Sequence, residues 1–269
     1  MTLNNHFGNS HHAAGFVDIH CHILPGIDDG ARDRAEAVEM VRIAHEQNTS
    51  TIVTTPHNFP RSAETVLQES RRRIDQLTRA AGEQGLHVAL LSGQEIRITN
   101  GFRHQLETGN GVTINENRYV LAEPPFNSFP EYVEEQLAEI MALGYRPVIA
   151  HPERNTIIQR DPDIARRLIS MGALMQINTG SLLNHYGPGC LEAGEYLLQQ
   201  ELIHVMATDA HGATGSRVPN MQVGFDRVAE LTDERRAWAL ARDNPLAITE
   251  EREVPYRPTV GAPVAVPGV

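Results

Sequence analysis

A short run rich in Val and Ile, a polar cluster and then a helix-spaced apolar pattern recur along the chain. The runs are FVDIH (16–20), STIVTTPH (50–57), HVALLSGQE (87–95), RYVLAE (118–123), RPVIAH (146–151), ALMQIN (173–178) and IHVMATDAH (203–211), which predicts seven parallel strands. Helices are signalled between them. Asp33-x-x-Glu36 predicts a capped start, followed by an apolar face at Ala37, Met40, Val41 and Ala44. Asp161-Pro162 predicts another, because Asp caps and Pro tolerates the first helical position; Ile164, Leu168 and Met171 then face inward and Gly172 ends the helix. Val133, Leu137, Ile140 and Met141, closed by Gly144, predict a third.

Strands alternating with helices give either an open doubly wound sheet or a closed barrel. No GxGxxG follows the first run and no GxxxxGK[ST] occurs, so the nucleotide-binding open sheet lacks its signature and an α/β barrel is expected. The 269 residues suit one domain, expected at 16–250, between a flexible polar segment at 1–15 and a Pro/Val-rich tail at 251–269 that is mobile or draped on the surface.

Composition narrows the chemistry. The 23 basic residues are all Arg and face 34 acidic ones, and the net charge of −11 should repel nucleic acid and anionic membranes, so an anionic substrate must be attracted locally. Cys21 and Cys190 form no CxxC pair and no disulfide framework, which suits a reducing compartment. No stretch has the length of a membrane span, and residues 1–15 lack the basic and apolar regions of a secretory leader. A cytoplasmic location without membrane insertion is expected.

The polar residues collect at the C-terminal ends of the runs, where parallel barrels place their catalytic groups. The ends carry His20-Cys21-His22, His57, Glu95, Glu123, His151, Asn178 and Asp209-Ala210-His211, so six of seven bear a metal-capable side chain. One such residue is ordinarily a hydrogen-bonded or solvated side chain. The collection is different, because burying so many ionisable groups without counter-charge is costly and divalent cations turn them into ligands. Imidazole and carboxylate without thiolate suit Mn, Fe or Zn at a catalytic site. Cys21, between two inward histidines, should point away into the core.

The segments DIHCHILPGIDDG (18–30), TTPH (54–57), GQE (93–95), LAE (121–123), AHPER (150–154) and ATDAH (207–211) resemble, in order and spacing, the polymerase and histidinol phosphatase superfamily. Within it the likeness is to the bacterial manganese-dependent protein-tyrosine phosphatases of capsule and exopolysaccharide biosynthesis. The resemblance implies a distorted (β/α)7 barrel with three divalent ions, Mn2+ first, with Fe or Zn as alternatives. It implies one ion on His20, His22, Glu95 and Asp209, a second on Glu95, Glu123 and His151, and a third on Asp29, His57 and His211, with Asp28 as the rival of Asp29. Three such ions against four carboxylates leave the pocket positive, ready for a phosphoryl dianion. Arg154 and Arg217 match arginines the family turns toward the substrate phosphate, for which guanidinium forks are shaped.

The activity so implied is hydrolysis of phosphotyrosine by a water deprotonated between two ions, with His211 available to protonate the leaving group. The substrate would be the tail of a bacterial tyrosine kinase of polysaccharide export. A thiolate phosphatase is excluded, since neither cysteine has an Arg six positions on, and no GxSxG marks a serine hydrolase. A Lys-bridged amidohydrolase is excluded by the absence of lysine. A histidinol-phosphate or other small-molecule phosphoesterase stays open as an alternative, as does a non-catalytic metal-binding regulatory module.

Overall fold

The structure is a computed structural model that describes residues 15–57 and 63–257, so the N-terminal segment 1–14 and the tail beyond 257 lie outside the described residues. Among the described residues there are eight parallel strands: β1 (Phe16–Cys21), β2 (Thr49–Thr54), β3 (Ala89–Ser92), β4 (Glu95–Arg97), β5 (Tyr119–Glu123), β6 (Arg146–Ala150), β7 (Leu174–Asn178) and β8 (Val205–Ala207). Six of the seven predicted runs become single strands, and the third breaks in two. The break is at Gly93, where an added Cβ would come within 2.6 Å of Val53 Cγ1. The chain there leaves β2, which pairs with β3, and starts β4, which pairs with β5.

The strands form a three-stranded sheet, β1-β2-β3, and a five-stranded one in order β4 to β8. Two seams join them, the parallel bridges Cys21 to Ala210 and His57 to Glu95. Backbone bonds from His22 N to Ala210 O (2.8 Å), Asp209 N to His20 O (2.8 Å) and Glu95 N to Pro56 O (3.2 Å) hold the seams. The strand series therefore closes on itself as a distorted barrel. Alternate residues of the strands divide the core: Val17, Ile19, Val53, Leu121, Val148 and Val205 pack together, while Val120, Ile149, Met175 and Met206 pack with residues from the surrounding helices.

The helices are α1 (Arg34–Glu46), α2 (Ala63–Gly82), α3 (Phe102–Glu107), α4 (Tyr132–Ala142), α5 (Thr156–Arg160), α6 (Asp163–Met171), α7 (Thr179–Leu182), α8 (Pro188–Gln199), α9 (Met221–Leu231), α10 (Glu234–Trp238) and α11 (Asn244–Thr249). The first start is as predicted, with the Asp33 carboxylate accepting from Glu36 N at 2.9 Å and Ala37, Met40, Val41 and Ala44 buried. The α4 face holds too, with Val133, Leu137 and Ile140 buried. At α6 one detail differs: the cap position falls on Pro162 and Asp161 contributes its backbone oxygen to Ile164 N (3.2 Å), not a capping carboxylate. Gly172, with φ 114°, closes that helix as expected. None of the helices is long and apolar enough to cross a membrane among the described residues.

The chain after α11 is not loose where it is described. Asn244 and Tyr256 exchange two hydrogen bonds, at 2.8 and 2.9 Å, and the Tyr119 hydroxyl donates to Arg252 O at 2.7 Å, with Val254 buried between. Residues 252–257 are thus pinned across the N-terminal ends of β5 and β7, in keeping with a stretch draped on the surface.

Candidate metal centre

All nine predicted ligands lie in one contiguous cluster, eight of them at or beyond the C-terminal ends of strands and Glu95 at the first residue of β4. Four overlapping groups bring their ligand atoms within 4.8 Å of one another: His20, His22 and Glu95; His20, His151 and Asp209; Glu95, Glu123 and His151; and His22, Asp29, His57 and His211. Six of the nine, His20, His22, Glu95, Glu123, His151 and Asp209, are buried. Glu95 is the hub, with Oε1 2.9 Å from His151 Nε2 and Oε2 2.9 Å from His57 Nδ1. The seams explain the convergence, since each one brings two strand ends, and hence two ligand-bearing loops, into register. His151 and Asp209 sit in the left-handed region, φ 33° and 51°, a strained conformation that turns each side chain back over the barrel mouth.

Cys21 is fully buried against α1 and α2 residues, as expected, and is no ligand. Of the two aspartates after β1, Asp28 is committed elsewhere. Its Oδ2 accepts from His22 Nδ1 (2.8 Å) and His57 N (3.0 Å), and its Oδ1 from Gly30 N (2.9 Å). Asp29 Oδ1 lies 3.3 Å from His57 Nε2 and 3.5 Å from His211 Nε2, so geometry favours Asp29 as the cluster's carboxylate.

Tautomers decide whether the cluster suits a cation. In the neutral rings His22 Nδ1 donates to Asp28, and His20 Nδ1 to Gln176 Oε1 at 3.0 Å, which leaves a lone pair on each Nε2. Those two lone-pair nitrogens lie 3.2 Å apart, with Glu95 and Asp209 oxygens 3.4–3.5 Å from them. Two acceptors cannot bond each other, so a proton or a metal ion must stand among them. Burial alone would lower the pKa of His22, but the Asp28 and Glu95 carboxylates outweigh it and raise it to about 10. His211 is the reverse case, pulled down to about 3 by burial and by the neighbouring His22. Its Nδ1–H is given to Asp209 O at 2.9 Å, and its buried Nε2 has no hydrogen-bond partner. Nε2 is therefore the atom of His211 left facing the cluster, for ligation or for proton transfer. The donor set fits divalent cations.

Both predicted arginines reach the cluster. Arg154 Nη1 lies 2.7 Å from Asp209 Oδ2, and Arg217 Nη2 2.9 Å from Asp209 Oδ1. The loop after β8 folds back, with His211 N donating to Arg217 O at 2.9 Å, which sets Arg217 beside Asp209. The Arg154 guanidinium lies between two rings, 4.8 Å from Phe126 and 4.3 Å from Tyr186, and Phe126 stacks on His151 at 5.5 Å. Sequence reading missed Phe126, Tyr186, Gln176 and the buried Glu153, whose Oε1 accepts from Asn178 N (3.1 Å) and the Ser181 hydroxyl (2.7 Å). The only signal in the sequence was the nearness of Glu153 and Gln176 to predicted strand ends.

The family described as capsular polysaccharide synthesis, CpsB/CapC, matches residues 16–250. The tyrosine-protein phosphatase YwqE of Bacillus subtilis is 38% identical over 195 residues, 72% of this chain and 77% of the relative. The tyrosine-protein phosphatase CpsB of Streptococcus pneumoniae is 32% identical over 237 residues, 86% of this chain and 97% of the relative. A crystal structure from work on those two proteins, described as unique metal-dependent tyrosine phosphatases, superposes with a TM-score of 0.83 at 33% identity, covering 90% of this chain and 97% of that one.

Proposed function

The chain belongs to the CpsB/CapC family of capsular polysaccharide synthesis, and from that premise we propose that it is a metal-dependent protein-tyrosine phosphatase, a phosphoric monoester hydrolase. The observation that carries the reading is the convergence of lone-pair imidazole nitrogens and buried carboxylates beside two arginines, within a fold shared with metal-dependent tyrosine phosphatases.

Three divalent cations, Mn2+ by preference, would be held by His20, His22, Glu95 and Asp209; by Glu95, Glu123 and His151; and by Asp29, His57 and His211. Such ions supply Lewis acidity toward phosphoryl oxygens and lower the pKa of water at the site. The chain's own groups do the rest. Arg154 and Arg217 present guanidinium edges to the equatorial oxygens of the phosphoryl group, where charge accumulates during transfer. The buried Nε of Arg217 has no partner and is available for that purpose. Phe126 and Tyr186 hold the Arg154 plane, and the largely buried walls keep bulk water from competing. A tyrosine phenolate leaves well enough that no side-chain acid is required. We take 16–250 as the catalytic domain, the cytoplasm as its place, and a Tyr-rich tail of a bacterial tyrosine kinase of polysaccharide export as its substrate.

The test is phosphate release from a phosphotyrosine peptide, p-nitrophenyl phosphate and histidinol phosphate by metal-stripped protein refilled with Mn2+, beside a His20→Ala/His22→Ala variant. Mn2+-dependent turnover led by the phosphotyrosine peptide and lost in the variant is expected. Preference for histidinol phosphate would keep the site chemistry and overturn the substrate; metal uptake without any turnover would make the protein a binding module.

A further inference from the structure

The strand end at Asn178 is the one that offers no metal-capable group, yet it lies inside the cluster. Gln176 and Asn178, two apart on β7, share a face and are fully buried. His20 Nδ1 contacts Gln176 Oε1 at 3.0 Å, Gln176 Nε2 donates to Asn178 Oδ1 at 2.7 Å, and Asn178 Nδ2 donates to Asp209 Oδ2 at 2.8 Å. The chain of bonds joins two residues of the same candidate ion, His20 and Asp209, through two side chains that touch no cation themselves.

Its direction is not free. The Asp209 carboxylate only accepts, so Asn178 must turn its NH2 toward it and its oxygen toward Gln176. Gln176 must then give its NH2 to Asn178 and turn its oxygen to His20. His20 in turn must carry its proton on Nδ1, which leaves Nε2 bare and facing His22 and Glu95. Reversing either amide would set oxygen against oxygen in a buried place, at a cost of about 1–3 kcal/mol per unmade bond. The backbone of Asn178 is itself anchored, with its N–H given to Glu153.

We infer that Gln176 and Asn178 are positioning residues forming a one-way amide relay, in which the charge of Asp209 fixes the tautomer of His20 and makes it a cation ligand. The inference rests on the metal-binding reading of the cluster and not on the phosphatase reading. Partners that orient a ligating imidazole in this way are worth about tenfold to a hundredfold in metal affinity.

The experiment is Zn2+ affinity by competition with a chromophoric chelator, with thermal melting of the metal-free proteins as a check on folding. It is run on the full chain, on Gln176→Leu, and on Asn178→Leu and Asn178→Asp. The imidazole 15N shifts of His20 in the zinc-loaded wild type give a second readout. Expected are a ligated Nε2 and protonated Nδ1 on His20, and at least a tenfold loss of affinity in all three variants. Asn178→Asp is the discriminating case. It can still accept from Gln176 but has nothing to donate to Asp209, so the relay predicts weaker binding, whereas a side chain that only filled space or added negative potential would bind zinc as tightly as wild type or more so. The latter result, or zinc on Nδ1 of His20, overturns the relay. A wild type that bound no zinc or manganese would instead refute the metal reading on which it stands. Should Asn178→Asp fail to fold, Gln176→Leu with wild-type affinity refutes the relay by itself.

Discussion

At the residue scale the cluster is a problem of charge, and Glu95 is where it is concentrated. Four imidazoles reach its two oxygens, His20 and His151 at Oε1 and His22 and His57 at Oε2. Glu95→Gln is therefore expected to lower phosphatase turnover by on the order of a hundredfold or more and to reduce bound Mn2+ per chain; unchanged metal content by elemental analysis would remove Glu95 from the ligand set. Tyr186 acts at one remove. Tyr186→Leu strips one face from the Arg154 guanidinium and should weaken competitive inhibition by inorganic phosphate about fivefold, ~1 kcal/mol of cation–π attraction. Tyr186→Phe keeps the ring and should stay within about twofold; equal inhibition constants for both would separate Tyr186 from phosphate binding. Eight of the nine candidate ligands were legible because each stands at the end of an apolar run, a local property of sequence, whereas Asp29 lies in the loop after the first run and came only from the family resemblance. Phe126, Tyr186 and Gln176 were not, because their roles exist only through residues far away in the chain, and a Phe or Gln near a strand end carries no local mark. Asp28 and Asp29 are adjacent in sequence and differently placed, Asp28 bonded to His22, His57 and Gly30 and Asp29 beside His57 and His211, a difference made by the Gly30 turn and not by residue type.

Elements were read well where periodicity and capping agree, as at α1, and less well where backbone shape intervenes. The third run is a single apolar stretch in sequence, yet Gly93 lets it fold tightly past Val53 and divide between two sheets. In β1 the pairing register shifts between Phe16 and Val17 and again between Asp18 and Cys21, so simple alternation does not describe how His20 and His22 reach one pocket. The turn after β1 is the element on which the third candidate ion depends. A Cβ on Gly30 would lie 2.0 Å from His22 O and 2.6 Å from His22 Cβ, contacts with backbone that cannot yield cheaply. Gly30→Ala should push the turn outward, break the bonds of Asp28 to His22 and Gly30, and carry Asp29 from His57 and His211. Overpacking of this kind costs about 1–3 kcal/mol, or a fall in melting temperature of about 2–10 °C for a domain of this size, and bound metal should fall with it. Gly82→Ala, with nothing within 4 Å of the new Cβ, is the matched control and should change neither. Melting curves that did not separate the two variants would show that the turn has room to move.

At the scale of the molecule the two ends of the barrel do different work. The C-terminal ends hold charge for chemistry, and the N-terminal ends are covered by residues 252–257, which bring Arg257 near His204 just before β8. His204 is buried, accepts from Met175 N through Nδ1 at 3.2 Å, and has its pKa lowered to about 3, by burial first and then by the Arg257 charge. In the unfolded chain the same imidazole takes up a proton near its ordinary value of 6.5. Between those two values the unfolded state binds the extra proton, so acidification favours unfolding, by up to about 1.4 kcal/mol per pH unit from this group. The contribution is fully present at pH 7 and above. Asp18, raised to about 6 by burial despite its bonds to Thr208, works in the opposite sense over part of the same interval, which would flatten the total slope. The His204 effect is therefore to be read as a difference. His204→Asn keeps an acceptor for Met175 N but cannot take up a proton, so its stability relative to wild type should improve steadily as the pH falls from 7 to 5. Urea unfolding of the metal-free proteins at matched pH measures that difference without interference from cation release at the other end of the barrel. A constant offset between the two curves would mean that His204 is protonated in the folded protein, and that the cover at this end admits water.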